Sequence, residues 1–338
     1  MNTRAYRLHF TAPLHLDDKG TGFYQHADAL IHSDTLSAAI LSAWAQLDPD
    51  PQRKEERFKT PPFKVSSAFP YFGNQYFLPR PINSRAISLP SEQLQLNKKI
   101  KKIKYLETTL WQTVVANKNF WQNLATNLDT EKSDYVILAG GLLMERKAIS
   151  PYLIKGDSQS FKLWETETQT RVVMNRATGS TVDGGLFDFT RIHYHPNSGL
   201  YFLVQLESGQ QPDFEAALAW LGDSGIGSDR ACGNGLFEWK PAEQFRLPQV
   251  TSPMALSLVL PNPEDCQKDD WLKDSAYELI KRGGWVTGTG WRKPAVWMFG
   301  EGSCFVQSLQ GKIETLGNHP DGYPIYRDGR GFFVGGKQ

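Results

Sequence analysis

Five of the fourteen residues from Gly222 to Gly235 are glycine: Gly222, Gly225, Gly227, Gly233 and Gly235. Glycine loses more conformational entropy on folding than any other residue, so such density marks a backbone that needs positive φ or close approach. A phosphate-binding P-loop would end in Gly-Lys-Ser/Thr, and this stretch holds no lysine. A dinucleotide fingerprint would place a third glycine three residues after Gly227, where Arg230 stands, and would run from strand to helix. Here the order is reversed: Pro212–Leu221 has the pattern of a helix and Leu236–Lys240 that of a strand. The stretch is therefore a helix-to-strand connection carrying Ser228, Arg230 and Asn234. Its amides at Gly225, Gly227 and Gly233 can form an anion-binding nest with Arg230 beside it, or it is a long surface turn with a solvated arginine. The residues alone leave both readings open.

With 338 residues the chain is long enough for two cores. It is 40% hydrophobic and 22% charged, as soluble globular chains are, and its formal net charge is +1. A net charge so small gathers no nucleic acid indiscriminately, so any RNA binding must come from local patches. The three cysteines, Cys232, Cys266 and Cys304, form no Cys-x-x-Cys pair and no disulfide framework, which suits a reducing cytoplasm. No apolar run reaches membrane-spanning length and the first residues lack the apolar segment of a signal peptide. A cytoplasmic protein with no membrane partner is expected.

Alternation over Ala5–Thr11 predicts a half-buried first strand. After a polar loop, Leu36, Ile40, Ala43 and Leu47 recur at helical spacing behind Ser33 or Asp34 as N-cap, with Pro49 and Pro51 closing the helix. A helix N-terminus offers unpaired amides to a phosphate, and His32 could add a donor or stack on a base. Equally, Ser33 and Asp34 cap the helix and His32 is only exposed. Phe63–Tyr71 and Gln75–Pro79, joined at Gly73-Asn74, predict a strand pair. The Lys98–Lys104 run holds five lysines in seven residues and predicts a solvated face. Helices are expected over Leu106–Asn117 and Phe120–Leu128, and strands over Tyr135–Leu138, Leu200–Leu206 and Met254–Leu260. Asp270–Arg282 has acids at its start and Gly283 behind it, which predicts an amphipathic helix. A hairpin is expected over Trp285–Phe299, with Trp291, Arg292 and Lys293 at the surface, and a last strand within Tyr323–Gly336.

Phe161–Arg176 and Leu186–His195 predict two arms joined by the turn-rich Ala177–Gly185. Alternation puts Phe187, Phe189, Arg191, His193 and His195 on one side of the second arm. Arginines interleaved with aromatics suit single-stranded RNA. His193 and His195 lack the further Cys or His that a zinc site needs, so no metal and no cofactor is expected.

The glycine-rich connection resembles that of the RAMP superfamily of CRISPR RNA-binding proteins, and His32-Ser33-Asp34-Thr35-Leu36 sharpens the resemblance. A strand, a loop and a helix opening on this pentapeptide resemble the RAMP subunit of the type III-A (Csm) effector complex that holds the 5′ handle of the crRNA. The 171–187 segment, Gly283-Gly-Trp285 and Glu301-Gly-Ser303 follow in the family's order. Two departures stand out: Ser37 replaces the family's aromatic after the pentapeptide, and Asp229 can pair with Arg230 and weaken phosphate contact.

The resemblance implies an α+β fold of two ferredoxin-like (RRM-like) βαββαβ domains, over 1–156 and 200–338, with a protruding β-hairpin thumb in 157–199. It implies RNA contact at His32, Ser33, Arg171, Val173, Met174, Arg176, Phe187, Gly225, Gly227, Ser228, Arg230, Gly233 and Asn234. The implied partners are crRNA, the large polymerase-palm subunit and RAMP backbone subunits, with no catalysis. The rival is a metal-independent endoribonuclease using His32 as acid or base, since some RAMP proteins cleave repeat RNA; the equivalent type III-B subunit is a third reading.

Overall fold

The even residues of the first strand, Tyr6, Leu8 and Phe10, are buried, as strict alternation requires, and the remaining elements assemble around that strand. A computed structural model describes residues 2–17, 24–84, 94–117, 120–128, 133–153, 161–267, 271–286 and 289–335. Strand β1 (Asn2–Phe10), helices α1 (Ser33–Leu47) and α2 (Pro51–Lys59), and strands β2 (Phe63–Val65) and β3 (Phe69–Phe72) come first. An insertion follows: β4 (Gln75–Pro79), α3 (Leu94–Lys101), β5 (Tyr105–Glu107), α4 (Thr108–Ala116), α5 (Phe120–Asn127), β6 (Tyr135–Leu138), β7 (Leu142–Glu145) and α6 (Arg146–Ile149). The hairpin is β8 (Trp164–Met174) and β9 (Thr181–Tyr194). Then come β10 (Ser198–Leu206), α7 (Gln211–Ser224) and β11 (Phe237–Pro241).

The fold is α+β around one large mixed sheet in the order β11-β1-β10-β3-β4-β5-β7-β6, with β2 also on β10. Most pairs are antiparallel; β5 and β7 run parallel. Taken in chain order, β1, α1, β2/β3, β10, α7 and β11 form a βαββαβ run with β1 and β10 at its centre. Helices α1 and α7 cover one face of those strands, burying Leu36, Ile40, Trp44, Phe214 and Leu218 against Tyr6 and Phe202. The other face carries Tyr201 and Leu203 against α3, α4 and α5. Buried on both sides, β10 reads Gly-Leu-Tyr-Phe-Leu-Val without alternation.

Strand pairing corrects the expected division into 1–156 and 200–338. β10 is hydrogen-bonded to β1 from Asn2↔Leu206 to Leu8↔Leu200, so a boundary at 200 would cut neighbouring strands apart. The glycine-rich connection therefore belongs with the first strand, and residues 75–194 are an excursion from that unit.

The C-terminal region consists of β12 (Met254–Ala255), β13 (Leu279–Arg282), β14 (Val296–Phe299), β15 (Gly311–Asn318), β16 (Pro324–Arg330) and β17 (Phe333–Val334). They pair as three ribbons, β12–β17, β13–β14 and β15–β16. Among its described residues it has no α-helix, unlike the second ferredoxin-like unit that was expected. The helix expected over 270–282 fails because Asp274 takes φ +60 and residues 279–282 pair with β14. That pairing lets Arg282 reach a buried carboxylate, a tertiary gain that outweighs helix propensity. Residue 270 lies outside the described residues.

The lysine run behaves as expected of a solvated face: Ile100 and Ile103 are buried while Lys98, Lys99, Lys101, Lys102 and Lys104 are exposed.

Candidate nucleic-acid interface

Helices α1 and α7, the glycine-rich connection, the hairpin around Arg171 and Phe187, and residues Gly284, Trp285 and Lys293 enclose an open groove of about 1030 Å³. Arg171, Phe187, Gly225, Gly227, Ser228 and Arg230 all line it. Residues far apart in the chain thus meet in one place.

The connection owes its glycines to its own packing. Gly227 has φ +95, and a Cβ there would come within 2.4 Å of the His15 carbonyl oxygen; at Gly235, φ +75, it would fall 1.9 Å from that of Ile226. The Ser228 amide donates to the His15 carbonyl at 2.9 Å, the Gly235 amide to Pro13 at 2.7 Å and the Ile226 amide to Gly235 at 3.0 Å. Those of Gly225, Cys232 and Gly233 also have carbonyl acceptors within the stretch or the preceding helix. Of the two readings the sequence left open, these six donors favour the turn, since they hold the chain to itself. Gly233 sits at the outer turn with open space around it, and Asn234 is buried, its side-chain amide donating to Asp229.

Asp229 does not take Arg230, as the sequence suggested. Its carboxylate accepts from Arg171 Nη1 at 2.7 Å, across from the hairpin, while its backbone sits at φ +59. The Arg171 guanidinium lies 4.0 Å from the centre of the Phe189 ring, and Phe189 stacks on His15 at 4.6 Å. Arg171 is thus fixed in place, while Arg230 stands exposed on the short 3₁₀ turn 230–232. Phe187 meets Tyr24 at 5.5 Å. Val173, Met174 and Arg176 are exposed at the far end of the hairpin, outside the groove lining. His193, farther down the hairpin, lies 2.8 Å from Glu167, which also holds Arg191. Among the described residues no group of three or more Cys, His, Asp and Glu could hold a metal ion.

Of the pentapeptide, Thr35 lines the groove, whereas His32, Ser33 and Asp34 make contacts outside it. His32 is the N-cap of α1, and its Nδ1 lies 2.7 Å from Glu301 Oε1. The Ser67 hydroxyl also donates to Glu301. Ser33, buried, donates its amide to Ser67 at 2.8 Å and accepts the Leu258 amide on its hydroxyl at 2.9 Å. Asp34 accepts from Arg282 Nε at 3.1 Å and Nη2 at 3.0 Å, and from Arg327. Ser37 donates to Asp328 at 2.8 Å. Burial alone would raise the Asp34 pKa, but Arg282 and Arg327 outweigh it and hold the carboxyl well below its usual range. Burial alone would push the His32 imidazole down; Glu301 outweighs it by charge and hydrogen bond, so its pKa is raised. His32 and Ser33 therefore join α1 to the C-terminal region rather than lining the groove, and the reason is geometric: they sit at the helix end that the C-terminal region covers.

Several groove residues went unnoticed in the sequence. Trp220 of α7 and Trp285 line it half-exposed, as does Lys293, which was expected only at the surface. Nothing local distinguishes them; only the docking of the C-terminal region against α1 brings Trp285 and Lys293 to the groove that the glycine-rich connection lines.

Residues 249–336 match the family model described as the CRISPR Csm4 C-terminal domain. The chain is 28% identical over 265 residues to the CRISPR system Cms protein Csm4 of Thermococcus onnurineus, covering 75% of this chain and 73% of the relative. It is 22% identical over 346 residues to the Mycobacterium tuberculosis protein of the same name, covering 99% and 98%. Among solved structures, it is similar to a chain of the Csm3–Csm4 subcomplex of the type III-A CRISPR-Cas interference complex, with a TM-score of 0.67 at 18% identity over the whole of both chains. It is also similar to a chain of a Csm1–Csm4 cassette, with a TM-score of 0.56 at 20% identity over 99% and 98%.

Proposed function

We propose that this chain, similar to Csm4 proteins of CRISPR systems, is the non-catalytic crRNA-binding RAMP subunit of a type III-A complex, and that its groove holds the repeat-derived 5′ handle. The observation that carries this reading is the convergence of the hairpin around Arg171 and Phe187, α1 and the glycine-rich connection on one groove, with Arg230 and Lys293 on its walls. Phosphates of a single strand would meet these cations, and its bases would meet half-exposed aromatic rings. Val173, Met174 and Arg176 at the hairpin end would reach RNA beyond the groove. The similar solved chains belong to a Csm3–Csm4 subcomplex and a Csm1–Csm4 cassette, which supports docking to a large polymerase-palm subunit and to RAMP backbone subunits.

The nuclease alternative depended on His32. A general acid or base must reach the proton it moves, and His32 instead holds Glu301 outside the groove lining. Purifying the protein natively with its companions and sequencing the ends of bound RNA tests the proposal. A uniform repeat-derived 5′ end is expected; heterogeneous RNA, or none, would overturn it.

A further inference from the structure

The indole of Trp285 has an environment that packing does not explain. It is 41% exposed, yet its backbone is fixed by a bridge to Arg292, and the Val286 amide donates to Trp291 at 2.8 Å. The Lys293 amide closes the same turn on the Gly284 carbonyl at 2.9 Å. The Arg292 guanidinium lies 4.7 Å from the ring centre, a cation–π contact that orients the indole. Gly284, Trp285 and Lys293 form one wall of the groove whose other walls are α1 and the glycine-rich connection. A rigidly presented aromatic face beside two cations, in a groove already read as holding single-stranded RNA, has the chemistry of a base platform. Every base has a π-face, and the adjoining cations attract the phosphate that follows it.

Resting on the handle-binding reading, we infer that Trp285 is a stacking platform for one unpaired base of the bound strand, so that the C-terminal region forms part of the RNA site. Its contribution is apolar and stacking, and it is separable from that of Arg230, which is electrostatic. An aromatic of similar shape retains most of it, and a strand lacking the stacked base gains nothing from it.

The test uses the full chain in the assembled complex and a synthetic single-stranded RNA carrying the repeat-derived 5′ end. A matched set of strands carries one abasic position each. Trp285→Ala weakens binding of the intact strand by about 5- to 150-fold, the usual worth of one stacked base. Trp285→Phe retains most of the affinity, and the melting temperatures of both variants stay near wild type. The slope of log affinity against log salt stays that of wild type, whereas Arg230→Ala flattens it by roughly 0.7. For one abasic strand, Trp285→Ala and wild type bind alike. If Arg230→Ala weakens binding but Trp285→Ala does not, the stacking assignment falls and the groove reading stands. If neither variant alters affinity, both fall. Loss of a partner subunit from Trp285→Ala with RNA affinity unchanged would make the indole a protein contact and overturn the inference.

Discussion

Removing the Asp34 carboxylate would leave two buried guanidiniums, those of Arg282 and Arg327, without their counter-ion. Breaking a buried ionic cluster from one side typically costs about 3–5 kcal/mol, because the remaining charge stays desolvated. Asp34→Ala should therefore lower unfolding stability by that order in urea melts, and a loss below about 1 kcal/mol would show that solvent screens the cluster. The acid limb carries the same signature. The folded pKa of Asp34 lies below the ordinary aspartate value, so its contribution is present above about pH 3.9 and is lost as pH falls through the folded value. The identity of these residues was legible in the sequence as a helix start, and their partners were not. A helix opening on Ser-Asp looks the same whether its acid caps the first turn or meets two arginines about 250 and 290 positions away. The raised His32 pKa has the same origin, a glutamate 269 residues on.

At the scale of elements, alternation and spacing marked out β1, α1, α4, α5 and the two arms of the hairpin, because each turns one face inward and the other to solvent, even where, as in β8, the inner face is only half-buried. Residues 279–282 were misread as helix because their pattern is decided by a distant partner, not by their own periodicity. The glycine-rich connection was recognised as special for the positive φ that Gly225, Gly227, Gly233 and Gly235 adopt, but the close approach its glycines admit is that of neighbouring carbonyls, which no local pattern shows. Two substitutions separate the cases. Gly235→Ala forces a Cβ onto the Ile226 carbonyl at positive φ and should cost well over 1 kcal/mol, whereas Gly233→Ala meets open space and should cost about 1 kcal/mol, the left-handed backbone alone. Thermal melts of both variants read the difference; equal losses would mean that the connection relaxes freely. For the hairpin, the safe cut is set by burial. Phe189 is buried under Arg171, so excision must stop short of it, at Val172 and Leu186, both exposed. Replacing 172–186 with a Gly-Ser turn should keep the melting temperature near wild type while weakening crRNA retention in the assembled complex. Unchanged retention would remove the hairpin end from the RNA surface.

Over the whole molecule, the groove exists only while the C-terminal region is docked on α1, since Gly284, Trp285 and Lys293 supply one wall. Docking and RNA affinity are therefore linked equilibria: whatever weakens the contacts at the start of α1 reduces the fraction of molecules with a complete groove. His32 makes that linkage pH-dependent. It faces Glu301, with Asp34 and Arg282 the other charges acting on it, and the balance raises its pKa. A group whose pKa is raised in the docked state stabilises that state fully below its ordinary value, about 6.5, and loses the contribution as pH rises through the raised value. Affinity for the handle strand at fixed salt should accordingly decline as pH rises across that window. His32→Gln, which keeps a hydrogen-bonding side chain but cannot become charged, should start lower and stay flat over the same range. Arg230→Ala should instead lower affinity by a similar factor at every pH, because it leaves the His32–Glu301 contact in place. A wild-type profile that is flat, or one that His32→Gln reproduces in full, would show that the helix-end contacts and the RNA groove are energetically independent.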